Sequence, residues 1–209
     1  MMIKTFQKVA LVLGTLAGPL MAMAIAQAQQ NWQPLSADLA VTYTAERAKI
    51  STVACGCFWL QGGSVDAAIP LIRGLSVAGR LTGEHAASIG PGIDLSIVAF
   101  MAGPRYTFRT SRWTDRFVGS RRRTSIFGEA LFGSAHGFDG AFSTSSGFKN
   151  SANSLSMQFG GGVNIRMVRN LGIRAFEMDY VRTQFRNFAG NSQNDLRVAA
   201  GVTYHLGER

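Results

Sequence analysis

Eleven charged residues in this chain are placed where they could act together. Glu46, Asp66, Glu84, Glu129, Glu177 and Asp179 are acids, and Arg80, Arg105, Arg166, Arg174 and Arg197 are bases. Most of them sit at positions that alternate with apolar residues. Carboxylates and guanidiniums held on one face form short, charge-assisted and often bidentate pairs. On an interior face such pairing is obligatory, because an unpaired buried charge costs too much to keep. The chemistry on offer is therefore electrostatic. The set can be a self-satisfied plug that fixes strand register, or a gated ion path in which one pair exchanges partners. Other reactive groups carry less. His85 with Glu84 and Ser88, or His136 with Ser134, supplies the residue types of a Ser/His/acid set, but such a set also needs mutual hydrogen-bond geometry. The chain has no nucleophile elbow, zinc-ligand helix or phosphate loop. No catalytic residue, metal or cofactor is expected. Cys55 and Cys57 are the only cysteines. Two thiols make a poor metal site, and in an oxidising envelope a disulfide or an intermolecular bridge is the default.

The elements that carry these charges are strands. From Leu196 to Leu206 one parity is apolar without exception (Leu196, Val198, Ala200, Val202, Tyr204, Leu206), and the other is small or polar (Arg197, Ala199, Gly201, Thr203, His205). Ser154 to Met167 repeats the pattern, with Leu155, Met157, Phe159, Val163 and Ile165 against Ser156, Gln158, Asn164 and Arg166. Side chains alternate across a strand, so each stretch has one greasy and one polar face. An ordinary strand runs about 5–6 residues. These are long enough to cross a bilayer as tilted strands, which takes about 9–11.

In chain order, strands are predicted from Leu39 to Glu46, Phe58 to Ile69, Gly74 to Glu84, Leu95 to Phe108, Thr124 to Ala135, Ser154 to Met167, Leu171 to Phe185 and Leu196 to Leu206. Pro70 marks a turn, and Pro104 marks a bulge or a locally unpaired position because it lacks an N–H. Parity slips near Ala175. A β-bulge there brings Arg174, Glu177 and Asp179 onto one face. Lys49–Gly56, Ser88–Gly92, Gly137–Asn153 and Asn187–Asp195 read as loops, Val168–Asn170 as a tight turn, and Arg109–Arg123 as a basic connection containing Trp113. That connection is long for a class in which the turns at one end are short.

The N-terminus reads differently. Lys4 and Lys8 precede an apolar run from Val9 to Ile25, and Ala26-Gln27-Ala28 is a small-x-small cleavage site. Residues 1–28 are therefore expected to be a cleaved signal peptide and 29–209 the barrel domain. The formal net charge is +9, or +7 without the two signal lysines. The positive residues are nearly all Arg and are dispersed through strands, which with an export signal argues against nucleic acid and for anionic lipid head groups. The 24 Gly and 14 Phe suit closely packed strands with aromatic rims. A soluble lipocalin-like barrel is excluded by pattern, since its apolar parity would face inward.

Several stretches carry a family likeness. Phe58-Trp59-Leu60-Gln61-Gly62-Gly63-Ser64, Gly103-Pro104-Arg105-Tyr106, Phe159-Gly160-Gly161-Gly162, Asp179-Tyr180 and Leu196-Arg197-Val198-Ala199-Ala200-Gly201 resemble the OmpA-like transmembrane barrel domain of small outer-membrane proteins. The resemblance spans essentially the whole mature chain, and no peptidoglycan-binding domain is expected. It implies a terminal strand read by the outer-membrane assembly machinery, for which Gly201, Tyr204 and Leu206 fit. Ala199, where a polar residue is usual, and the trailing Gly207-Glu208-Arg209 depart from that pattern. Some small barrels of this kind modify lipids.

The fold expected is all-β, an eight-stranded antiparallel up-and-down transmembrane β-barrel after a cleaved signal peptide. The function expected is an integral protein of the outer membrane of a Gram-negative bacterium, structural or surface-interacting, with its lumen plugged by the charged residues. A narrow pore for ions or small solutes is the alternative, and a lipid-modifying enzyme the second. The partners expected are outer-membrane lipid and, during biogenesis, the assembly machinery and periplasmic chaperones. The protein is expected to be a monomer.

Overall fold

The computed structural model describes residues 36–49, 57–90, 93–110, 123–144, 147–186 and 192–207. The proposed signal peptide and the start of the mature chain lie outside them. Among the described residues there are ten strands: β1 (Ala37–Lys49), β2 (Cys57–Ile72), β3 (Leu75–Gly90), β4 (Ile93–Thr110), β5 (Arg123–Phe138), β6 (Phe142–Thr144), β7 (Gly147–Lys149), β8 (Ala152–Arg166), β9 (Leu171–Thr183) and β10 (Gln193–Leu206). Eight of them close a barrel in the order β1-β10-β9-β8-β5-β4-β3-β2, and β6 with β7 forms a separate two-stranded sheet. Every barrel pairing is antiparallel. Closure removes free sheet edges and satisfies the ladder internally, the only way strands can cross hydrocarbon.

The alternation decides which way each residue points. On β10, Val202 is 52% exposed and Thr203 only 3%. On β2 the outward residues Val65, Ile69 and Leu71 alternate with the buried Ser64, Asp66 and Ala68. The same holds around the ring, where Val41, Val77, Leu81, Phe100, Phe132, Phe159, Ile173 and Met178 all face out. So large a continuous apolar surface is out of place in water. It is what a bilayer covers.

Several boundaries differ from the sequence reading, and each has a local reason. β2 runs through Pro70, whose missing donor falls at an irregularity in the β2–β3 register. The turn follows at Arg73-Gly74, where Gly74 takes φ +85°, a region glycine enters without strain. The stretch taken as one loop from Gly137 to Asn153 contains the β6–β7 hairpin, and β5 and β8 extend into it. β3 likewise runs on to Gly90. Pairing of β4 with β5 skips Gly103 and Pro104, consistent with the lost N–H. Opposite Asn164 and Val163, β9 carries one extra residue between Arg174 and Phe176. Ala175 and Phe176 are both exposed there, so Ala175 is the bulge, and Arg174, Glu177 and Asp179 all point inward.

The interior is filled in layers. Ala68, Ala78, Ala99, Met101, Leu131 and Ala135 pack with Phe142 of β6 and with Phe185 just after β9. The Phe142 and Phe185 rings lie 5.2 Å apart between centroids. These two residues belong to the connections at the end away from the described chain termini, so loop residues contribute to the core there.

Candidate functional site

The charged layer of the lumen is the candidate site. Four acids (Asp66 on β2, Glu129 on β5, Glu177 and Asp179 on β9) meet four arginines (Arg80 on β3, Arg105 on β4, Arg174 on β9, Arg197 on β10), all buried. Arg80 is the hub. Its Nη1 lies 2.5 Å from Glu177 Oε1 and 3.2 Å from Asp179 Oδ2, and its Nη2 lies 3.0 Å from Glu129 Oε1 and 3.4 Å from Asp66 Oδ2. Arg105 donates from Nε to Glu129 Oε2 at 2.7 Å, and its Nη1 sits 2.8 Å from Asp66. Arg174 donates from Nη1 to Asp66 at 2.6 Å and to Glu177 at 2.7 Å, and from Nε to Asn164 at 3.1 Å. Arg197 reaches Asp179 at 3.4 Å and donates to Gln158, which itself donates to Glu129 at 3.1 Å. Four acids thus face four bases in one connected set. Such burial is tolerated only when charges pair and their remaining donors find acceptors.

Three features of this layer go beyond the charged residues singled out from sequence. Phe127 on β5 is buried, and the guanidinium carbons of Arg105 and Arg174 each lie 4.7 Å from its ring centroid. Two cations therefore share the one ring, a cation–π arrangement strengthened by desolvation. Its only sequence signal was a phenylalanine on the same parity as Glu129. Gln158 links Arg197 to Glu129. Its signal was a polar residue on the inner face of β8. Asp66, from β2, pairs with Arg174, whereas Glu129 pairs with Arg105 and Arg80. Within β9, Glu177 also touches Arg174, at 2.7 Å.

The remaining charged residues fall elsewhere. Arg166 is half-buried at the last residue of β8, at the barrel end that carries the described termini, rather than among these eight. Glu46 and Glu84 are buried and within hydrogen-bonding reach of each other. Oxygens of Glu129, Glu177 and Asp179 cluster as a metal site would require, but the Arg80 guanidinium already reaches all three.

The histidines are not drawn into a catalytic grouping with the residues considered for them. His85 is exposed and its Nδ1 lies 2.9 Å from Ser96 Oγ, while Glu84 points into the lumen, so the two face opposite sides of β3. The Ser88 side chain lies outside the described residues. His136 is exposed and 2.7 Å from Asn153 Oδ1. Cys57 is the exposed first residue of β2, with a free thiol. Cys55 lies outside the described residues. On β10, Tyr204 and Leu206 face outward, and Gly201 is half-buried on the inner parity, where an added Cβ would meet the β1 backbone at Thr42 Cα, 2.6 Å away.

Comparison with solved structures settles the architecture. Neisserial surface protein A aligns over 80% of this chain and 96% of its own, with TM-score 0.54 and 15% identity. The chain has the fold of the small eight-stranded outer-membrane β-barrels. Ail, the attachment invasion locus protein of Yersinia pestis, also aligns, over 83% of this chain and all of its own, with TM-score 0.47 and 13% identity. So does the N-terminal β-barrel domain of Pseudomonas aeruginosa OprF, over 81% and 97%, with TM-score 0.43 and 14% identity. No protein-family model matches the chain, and no curated protein matches it. The outer-membrane barrel carries its apolar band where lipid lies and its charged layer where lipid cannot reach.

Proposed function

We propose that this outer-membrane barrel is a closed, non-enzymatic envelope protein that acts as a structural element or through its loop end. The observation that carries the reading is the charge layer itself. Four acids and four arginines from six strands interlock across the lumen, with every arginine in ion-pair contact with at least one acid. An eight-stranded barrel has an interior just wide enough for side chains to fill, so such a layer leaves no continuous water path. The partners in this reading are bilayer lipid against the apolar band, and the assembly machinery and chaperones acting on β10 with Gly201, Tyr204 and Leu206. The protein works as a monomer.

One observation favours a narrow pore instead. Arg80 lies within 3.4 Å of four acids, so it has alternative partners and could exchange them. Planar-bilayer conductance of the refolded protein separates the two. The closed reading expects no stable conductance from the unsubstituted protein and measurable conductance after Arg80→Ala. Stable conductance in the nanosiemens range from the unsubstituted protein would establish the pore.

A further inference from the structure

The outward face of the barrel carries positive charge on one arc. Arg47 near the end of β1 and Arg182 near the end of β9 are exposed, and exposed Asn194 of β10 stands on the strand between them. All three lie at the end away from the described chain termini. Register fixes their neighbourhood. Asn194 is the partner of Arg182. Leu196, two residues along on the same face, is the partner of Arg47 on one side and of Tyr180 on the other. Strand spacing and rise put the two arginine Cα atoms roughly 12 Å apart. The Tyr180 hydroxyl donates to Asn194 Oδ1 at 2.6 Å. The asparagine amide keeps its N–H donors for another acceptor.

No acid stands on the outward parity of β9, β10 or β1. The opposite arc differs. On β3, β4, β5 and β8 the polar residues at this end pair among themselves, His85 with Ser96 at 2.9 Å and His136 with Asn153 at 2.7 Å. β4 adds the exposed Asp94. The arginines are therefore a patch and not a uniform belt. Toward mid-barrel the same three strands turn apolar on this face, with Val41, Met178, Leu196 and Val202 all exposed. Exposed Trp59 is the register partner of Arg47 on β2. Tryptophan and tyrosine collect where hydrocarbon gives way to head groups, and here Trp59 and Tyr180 stand beside the two arginines.

We propose that Arg47, Arg182 and Asn194 hold the phosphate of an anionic lipid in the leaflet at the loop end of the barrel. The guanidinium fork matches phosphate oxygens two at a time, and the asparagine amide adds a donor. A soluble anion meets the same donors, but only a lipid also lays acyl chains on the apolar strip beneath them. The site rests on the reading that bilayer lipid is the partner of the apolar band, and it gives that lipid a head group.

The test is native mass spectrometry of the refolded full chain in maltoside detergent, titrated with dioleoyl phosphatidic acid or with dioleoylglycerol. The second lipid has the same chains and no phosphate. Phosphatidic acid is expected to bind the unsubstituted protein more tightly. The double variant Arg47→Gln, Arg182→Gln is expected to lose about thirtyfold in affinity for it, the worth of two surface cations to an anionic head group. All three substituted side chains are exposed, so the urea midpoint of each variant should stay in place. Arg73→Gln, in the β2–β3 turn at the opposite end, should leave phosphatidic acid binding unchanged. Undiminished binding in the double variant would overturn the site. An equal loss in Arg73→Gln would reduce the effect to net charge and overturn it too. Displacement of the lipid by millimolar inorganic phosphate would make this a soluble-anion site. Equal retention of both lipids counts against the phosphate site alone, whereas retention of neither counts against the lipid-covered band as well.

Discussion

Nη1 of Arg80 lies 2.5 Å from Oε1 of Glu177 across the full width of the barrel. The two residues stand on β3 and β9, four strands apart whichever way the ring is followed. The contact therefore braces opposite walls, and no local element could make it.

Removing that brace should be costly. Arg80→Ala leaves Glu177, Asp179, Glu129 and Asp66 short of one shared partner, and breaking a buried pair typically costs about 3–5 kcal/mol. Urea unfolding of Arg80→Ala, Glu177→Ala and the double variant should give a double cost well below the sum of the singles. Strict additivity would show that the two groups do not interact.

The same logic applies to Arg174 and Asp66, 2.6 Å apart on β9 and β2. A double-mutant cycle on this pair is expected to return coupling of about 0.5–3 kcal/mol. The cycle of Arg174 with Glu129 should return much less, because Glu129 is held by Arg105 and Arg80. Equal coupling in both cycles would contradict the partner assignment.

Phe127 should matter more than its apolar area suggests. Phe127→Leu keeps a buried hydrophobe but removes the ring face shared by Arg105 and Arg174, an interaction worth about 2 kcal/mol or more when desolvated. Phe132→Leu, on the outward face of the same strand, serves as the control. Similar unfolding free energies for the two variants would show that the cations draw nothing from the ring.

Outward residues should reject charge by depth. Val202→Arg on the lipid-facing side of β10 is expected to cost about 2–4 kcal/mol if it lies near the bilayer midplane. The measurement is folding into lipid vesicles followed by urea titration. Unchanged stability would mean that this face does not meet hydrocarbon.

Cys57 should be reachable from the loop end. It is exposed at the first residue of β2, so a membrane-impermeant maleimide should label intact cells. Labelling seen only after lysis would place that end of the barrel in the periplasm.

Much of this architecture could be read from the chain alone, for one physical reason. A strand sends successive side chains to opposite faces, so the alternation from Leu196 to Leu206 already separates Val202 from Thr203 and Tyr204 from Arg197. The slip at Ala175 was legible too, because a bulge breaks that two-residue period and leaves Arg174 and Glu177 on one face three residues apart. Where no period exists, the reading failed. The β6–β7 hairpin lies in a Ser/Gly/Phe stretch with no sustained alternation, and Pro70 looked like a turn although a strand can keep a proline where no donor is needed.

What the tertiary structure alone decided is who meets whom inside. Sequence places acids and arginines on the inner face but holds no information on their height or on which wall they face. Those depend on the stagger and tilt that closure imposes on all eight strands at once. Hence Asp66 rather than Glu129 meets Arg174, 108 residues away, two guanidiniums share the Phe127 ring, and Glu46 and Glu84 come within reach of each other. Asp66 and Arg174 stand on β2 and β9, which are not neighbours in the ring, and only its closure brings them within reach.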